Sequence, residues 1–90
     1  RDEVLQRLEA GTLDAVTFGS SSTVDNFFAQ IPADTIRHQP EGKRVKFASI
    51  GPVTTRTLAK YGFACDIQPG DFTIPALVKA LAAYYEKRGA

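Results

Sequence analysis

The feature that most restricts this chain is an alternation. Stretches with apolar residues at helical spacing are separated by short apolar runs that stop at glycine or at turn residues. Over residues 2–10, Val4, Leu5 and Leu8 keep helical spacing among Asp2, Glu3, Gln6, Arg7 and Glu9, and Gly11 follows as a helix-ending residue. Residues 13–18 read as a strand, halted by Gly19 and three serines. A second helix is expected from Thr23 to about Ile31, with Val24, Phe27, Phe28 and Ile31 as its apolar stripe, Ser21 or Ser22 as N-cap and Asp25 in the first turn. Residues 32–44 form the longest irregular stretch, with a turn signal at Glu41-Gly42. Residues 45–50 read as the next strand. Gly51-Pro52 then opens a third helix over residues 52–60, because proline suits the first helical position. Val53, Thr57, Leu58 and Tyr61 are its expected packed side, and Gly62 its end. A third strand over residues 63–67 leads to the Pro69-Gly70-Asp71 turn. Thr73 caps a last helix through Arg88, with Ile74, Leu77, Val78, Leu81 and Tyr84 or Tyr85 on one face.

Four helices alternating strictly with three strands call for an α/β fold: a parallel sheet with right-handed crossovers and helices on both faces, in three layers. Three strands are few, since such sheets usually have about five or six. The sheet therefore reads as incomplete, and the 13–18 strand presents an unpaired edge, a template for homodimerisation or strand exchange. Ninety residues make one small domain with a modest core. A chain that opens on Arg1 and lacks methionine reads as a piece of something longer. Eleven basic residues against ten acidic leave a net charge of +1, which argues against a dedicated nucleic-acid or membrane-surface binder. One cysteine cannot form an intrachain disulfide or a cysteine-based zinc site, in keeping with a reducing compartment. No apolar run approaches the roughly 18 residues of a membrane span, and no signal-peptide pattern opens the chain.

In open α/β sheets, ligands bind on the loops that follow the carboxyl ends of strands. Two such loops are distinctive here: Phe18-Gly19-Ser20-Ser21-Ser22-Thr23 and Ile50-Gly51-Pro52-Val53-Thr54-Thr55. Each places hydroxyls and unpaired backbone N–H groups at a helix start, where anions are favoured. On adjacent parallel strands they would lie side by side and cradle carboxylate or phosphate groups. The competing reading is that the serines simply cap a helix. The 68–73 loop is expected at the rim. Conventional catalytic groups are sparse. His38, the only histidine, reads as a solvated loop residue, and Cys65 as a small, partly buried strand residue with no neighbouring cation to activate it. Asp14 and Asp66 lie at expected strand starts, the end opposite to a site. Lys43, Arg44 and Lys46 read as a solvated cluster. No nucleophile elbow, phosphate-binding P-loop or dinucleotide fingerprint occurs. The residues alone thus indicate an anion-cradling α/β unit, with a phosphate- or flavin-binding module among the open readings.

The run Asp14-Ala15-Val16-Thr17-Phe18-Gly19-Ser20-Ser21-Ser22-Thr23-Val24, followed by Val45-Lys46-Phe47-Ala48-Ser49-Ile50-Gly51-Pro52-Val53-Thr54, resembles the C-terminal part of the uroporphyrinogen-III synthases. Phe72-Thr73-Ile74-Pro75-Ala76-Leu77 is similar to the start of that family's last helix. The resemblance implies two flavodoxin-like domains with the substrate in the cleft between them. Residues 1–90 would then be the C-terminal half of one domain, with the second domain absent. It implies a cytoplasmic enzyme of tetrapyrrole biosynthesis, a lyase that closes hydroxymethylbilane into uroporphyrinogen III. The last pyrrole ring is inverted and water is lost, without cofactor or metal. By resemblance, Thr54 hydrogen-bonds the substrate or its leaving hydroxyl, and Ser20, Ser21, Ser22, Thr23, Gly51, Pro52 and Val53 contribute backbone and hydroxyl contacts. Gly19 departs from the family, which usually carries threonine or serine there. With one wall of the cleft missing, these ninety residues alone are expected to be inactive, and a non-catalytic half-domain is the alternative reading.

Overall fold

The computed structural model describes residues 6–8, 10–11, 13–40 and 42–87. Its centre is a pair of four-residue strands, β1 (Ala15–Phe18) and β2 (Lys46–Ser49), paired in parallel with Ala15 opposite Lys46 and Phe18 opposite Ser49. Side chains alternate across a strand, so this register sends Phe18, Val45 and Phe47 to one face and Ala48 to the other. Both faces are covered, as the expected three-layer α/β fold requires. On the first face lie α1 (Ser21–Gln30) and α3 (Pro52–Lys60), packed on each other and on the strands. On the second lies α4 (Ile74–Lys87), whose Leu77, Ala80, Leu81 and Tyr84 meet Ala48, Ile50 and Ile67.

The larger core forms on the first face. Leu8, Phe18, Val24, Ile31, Ile36, Val45, Phe47 and Leu58 are all buried in it. Phe18 stacks on Phe47 with ring centroids 5.8 Å apart, and Phe27 meets Phe18 edge-on at 5.5 Å. Phe28 lies between Tyr61 at 4.5 Å and Phe63 at 5.4 Å. The Tyr61 hydroxyl reaches across to donate to Asp25 Oδ1 at 2.6 Å. That bond, reinforced by the carboxylate's charge, holds the tyrosine above its ordinary pKa of 10.0.

Several local expectations give way to identifiable contacts. The 32–44 stretch contains a short helix, α2 (Ala33–Arg37), which buries Ile36. Just after it, the buried Gln39 donates to the Leu8 carbonyl at 2.8 Å and accepts from Val45 N–H at 3.0 Å, tying the N-terminal helical residues to the start of β2. The expected third strand is reduced to a single parallel bridge, Ala48 to Ile67. Asp66 accounts for this: its carboxylate takes the Phe47 N–H at 2.8 Å, where a strand would offer a backbone carbonyl. The Phe47 carbonyl is meanwhile approached by both Asp66 N at 2.9 Å and Ile67 N at 3.2 Å. Asp66 is thus a ladder residue by its side chain and does not open a strand.

Gly11 and Gly62 do end helical turns with positive φ, +72° and +89°. In α3 the buried residues are Thr54, Thr57 and Leu58, while Val53 is exposed. The stripe runs 54, 57, 58, 61, and Val53 stands one position off it. In α4 the stripe runs through 77, 80, 81 and 84, which leaves Ile74 and Val78 exposed. The expected helix over residues 2–10 is described only at residues 6–8 and 10, which are helical, and Val4, Leu5, Glu41 and Arg88 lie outside the described residues.

Replacing Asp66 by alanine strands the Phe47 N–H in the core. It is expected to lower stability by about 1–3 kcal/mol in urea denaturation, whereas Asp66→Asn, which keeps an acceptor oxygen, should cost less. Unchanged stability of the alanine variant would show that the side chain does not serve as the third strand's acceptor.

Candidate functional site

The parallel pairing puts the two glycine–hydroxyl loops next to each other. Phe18 and Ser49 are register partners, and Ile50 N–H donates to the Phe18 carbonyl at 3.0 Å, so residues 19–23 and 51–55 leave the sheet together. In the first loop Ser20, not Ser21 or Ser22, is the N-cap of α1. Its hydroxyl accepts Thr23 N–H at 3.3 Å, and Ser20 N–H donates back to Thr23 Oγ1 at 3.2 Å, a reciprocal capping box. The helix therefore begins at Ser21. Asp25 falls beyond the first turn, where it meets Tyr61 instead.

The three serines have separate tasks. Ser20 caps the helix. Ser21 links the loops: its Oγ lies 3.5 Å from the Val53 carbonyl and 2.9 Å from Thr57 Oγ1. With Thr57 donating to Ser21 and Ser21 to Val53, each hydroxyl proton has one acceptor. Ser22 is exposed, its Oγ 3.1 Å from Ser20 Oγ. In the second loop the buried Ser49 hydroxyl accepts Gly51 N–H at 3.2 Å and donates to the Gly51 carbonyl at 2.8 Å. Thr55 Oγ1 bridges Ser49 Oγ at 2.9 Å and Gln68 Oε1 at 2.6 Å, bringing the third loop to the same place. Ser49 and Thr57 lie outside the two loop motifs, and Thr55 closes the second of them without an assigned role. Their signal was a hydroxyl on each turn of the strand end and helix, with no apolar spacing to explain it.

What remains unpaired is mostly backbone. The N–H groups of Ser21 and Ser22 at α1, and of Val53 and Thr54 at α3, have no hydrogen-bond partner among the described residues. They are the first-turn donors that a helix cannot satisfy internally, and Pro52 offers none. Thr54 is only 4% exposed, and its hydroxyl has no partner among the described residues. Since no fully enclosed side-chain oxygen in the described residues lacks a partner, the exposed sliver of Thr54 includes that hydroxyl. Four amide donors on two adjoining helix starts, with hydroxyls of Ser22 and Thr54 close in sequence, can bind anionic oxygens without a formal positive charge.

Gly51 is buried with an extended φ of −175°, so its backbone would suit any residue. Space is the constraint: a Cβ there would lie 3.0 Å from Cδ1 of Phe72. At Gly19 a Cβ would meet only Ile74 Cδ1 at 3.7 Å, an ordinary contact, so a hydroxyl-bearing residue would fit.

The other candidate groups stay apart. His38 is exposed in the α2–β2 connection. The half-buried Cys65 thiol lies 3.0 Å from the Ile67 carbonyl, to which it donates. At the opposite end of the strands, Lys43 lies along Gly11 and the Arg44 guanidinium donates to the Arg37 carbonyl at 3.4 Å. Among the described residues no group of three or more histidines, cysteines or carboxylates could hold a metal ion, and no helix is long and apolar enough to cross a membrane.

Fold and loops together define a parallel α/β unit whose two adjoining helix starts, with their unpaired N–H groups, lie at the carboxyl ends of its strands. The family model of the uroporphyrinogen-III synthases (HemD) matches residues 1–79, and the chain belongs to that family. It is 39% identical over 82 residues to a Methanothermobacter thermautotrophicus protein provisionally named a uroporphyrinogen-III synthase, covering 90% of this chain and 32% of the relative. It is 37% identical over 79 residues to the uroporphyrinogen-III synthase of Chlorobaculum parvum, covering 88% of this chain and 30% of the relative. The chain thus spans about a third of the length of these relatives. No solved structure matches it significantly.

Loss of the Ser20 cap should be felt by the whole loop. Ser20→Ala is expected to cost about 1 kcal/mol in thermal or urea unfolding, and Ser22→Ala a few tenths at most. Equal effects would mean that the capping box does not organise the α1 start.

Proposed function

We propose that these residues are the C-terminal half of one domain of a two-domain synthase, one wall of a cleft that binds a linear tetrapyrrole. The observation that carries this reading is the pair of adjoining helix starts with four free amide donors, in a chain of the uroporphyrinogen-III synthase family. The substrate class, hydroxymethylbilane, presents many carboxylates on apolar pyrrole rings. Backbone donors suit it, because they hold several carboxylates in fixed directions without the desolvation cost of as many buried cations.

The reaction is ring closure with inversion of the last pyrrole and loss of water. The residues at hand support catalysis by positioning and mild proton donation. The amides of Ser21, Ser22, Val53 and Thr54 hold side-chain carboxylates of the substrate. The Thr54 hydroxyl donates to the departing hydroxyl as it leaves. Ser20, Thr23, Gly51 and Pro52 shape the backbone that carries those donors. No cofactor or metal takes part, and the enzyme works in the cytoplasm. The full-length protein carrying this sequence should convert hydroxymethylbilane to the type III isomer, with Thr54→Val lowering kcat roughly tenfold and leaving KM nearly unchanged. These ninety residues alone should show no turnover. Formation of only the type I isomer by the full-length protein would overturn the reading.

A second reading concerns the isolated chain. Because the Asp14 and Phe18 carbonyls face β2, the N–H and C=O groups of Ala15 and Thr17 point outward from the sheet. Beside that edge runs a groove of about 250 Å³ lined by Val16, Phe18, Phe27 and Ile31 among others. Among the described residues no strand pairs with the outer edge of β1, and such an edge beside an apolar groove favours self-association through β1. Sedimentation of the chain should show a concentration-dependent dimer, and a monomer throughout the accessible concentration range would dismiss it.

A further inference from the structure

Among the described residues four large hydrophobic side chains stand more than half exposed: Val53 at 61%, Phe72 at 64%, Ile74 at 56% and Val78 at 59%. They are not scattered. Val53 belongs to the first turn of α3, Phe72 lies on Gly51, Ile74 lies beside Gly19, and Val78 follows Ile74 one turn along α4. The patch therefore borders the two helix starts of the candidate site. Exposed apolar groups gathered at one place mark a surface that something covers.

Phe72 is the informative member. Three consecutive ring atoms, Cδ1, Cγ and Cε1, lie within 3.0–3.4 Å of where a Gly51 Cβ would stand, so the ring is backed by main chain and open on its other side. The absence of a side chain at residue 51, unexplained by backbone conformation, is explained by this ring. Asp71 is the one acidic side chain in the loops 19–23, 51–55 and 68–73, so a ligand's carboxylates are directed away from it, toward the α1 and α3 starts.

We propose that Phe72 contacts the substrate: backed by Gly51, its ring is a platform for one pyrrole ring, flanked by Val53 and Ile74, while the free amides of α1 and α3 take the carboxylates. The proposal rests on the tetrapyrrole reading above and adds to it an apolar half. An alternative role, a plug that only props the Gly51 loop, predicts a different result.

The test titrates the ninety-residue chain with two probes, following the amide signals of Ser22, Val53 and Thr54 by NMR. Uroporphyrin III carries rings and carboxylates, and propane-1,2,3-tricarboxylate carries carboxylates alone. Phe72→Ala is expected to weaken porphyrin binding roughly threefold to tenfold, Phe72→Tyr to restore it, and neither to alter tricarboxylate binding. Equal loss of both probes in Phe72→Ala would make the ring a prop, and no loss of either would make it idle; each overturns the platform. If the parent chain binds the tricarboxylate and not the porphyrin, the platform falls and the anion site stands. If it binds neither, the tetrapyrrole reading of this face falls, and the platform with it.

Discussion

The parallel pairing of β1 with β2 is the interaction on which the rest of this structure depends. Four residues on each strand set the register, and the register decides two things at once. It stacks Phe18 on Phe47 beneath α1 and α3, which gives the larger core its centre. It also releases the two loops from the sheet at the same height, so that two helix starts adjoin. A slip of one residue would turn Phe18 and Phe47 to opposite faces and separate the loops, so core packing enforces the geometry of the site.

At that site the hydroxyl groups mainly organise backbone. Ser20 and Thr23 satisfy each other in a capping box, Ser21 and Thr57 tie α1 to α3, and Ser49 closes the turn at Gly51. The groups left unpaired there among the described residues are amides that no helix can pair for itself, with Ser22 and Thr54 hydroxyls nearby. A net charge of +1 says little about this face: its positive ends are dipoles and N–H groups, which a count of charged residues does not register.

Much of the fold was legible in the residues. The Gly19 and Gly51-Pro52 stops, the 24/27/28/31 stripe and the Thr73 cap of the last helix all carry local signals strong enough to place an element, and Thr73 Oγ1 does accept the Ala76 N–H. The failures have equally local causes. The 63–67 run has strand composition, but the Asp66 side chain supplies the acceptor that a strand's main chain would have supplied. Val53 looked like a core residue until the helix phase put Thr54 on the packed side. The 68–73 loop was expected only at the rim, and the seat of the Phe72 ring on Gly51 was not legible, because it is a contact between residues 21 apart in sequence.

By itself the sequence determined the α/β class, the two paired strands with the helices α1, α3 and α4 that follow in order, the two glycine–hydroxyl loops and the family resemblance, since each depends on periodicity, turn chemistry or a contiguous run of residues. Tertiary structure alone decided which serine caps and which links, how the third strand shrinks to one bridge, and where the exposed aromatic ring comes to lie. Those outcomes turn on which donor reaches which acceptor across the sheet, and on whether a ring from one loop fits against the bare backbone of another. Distance in space governs both, and spacing along the chain does not encode it.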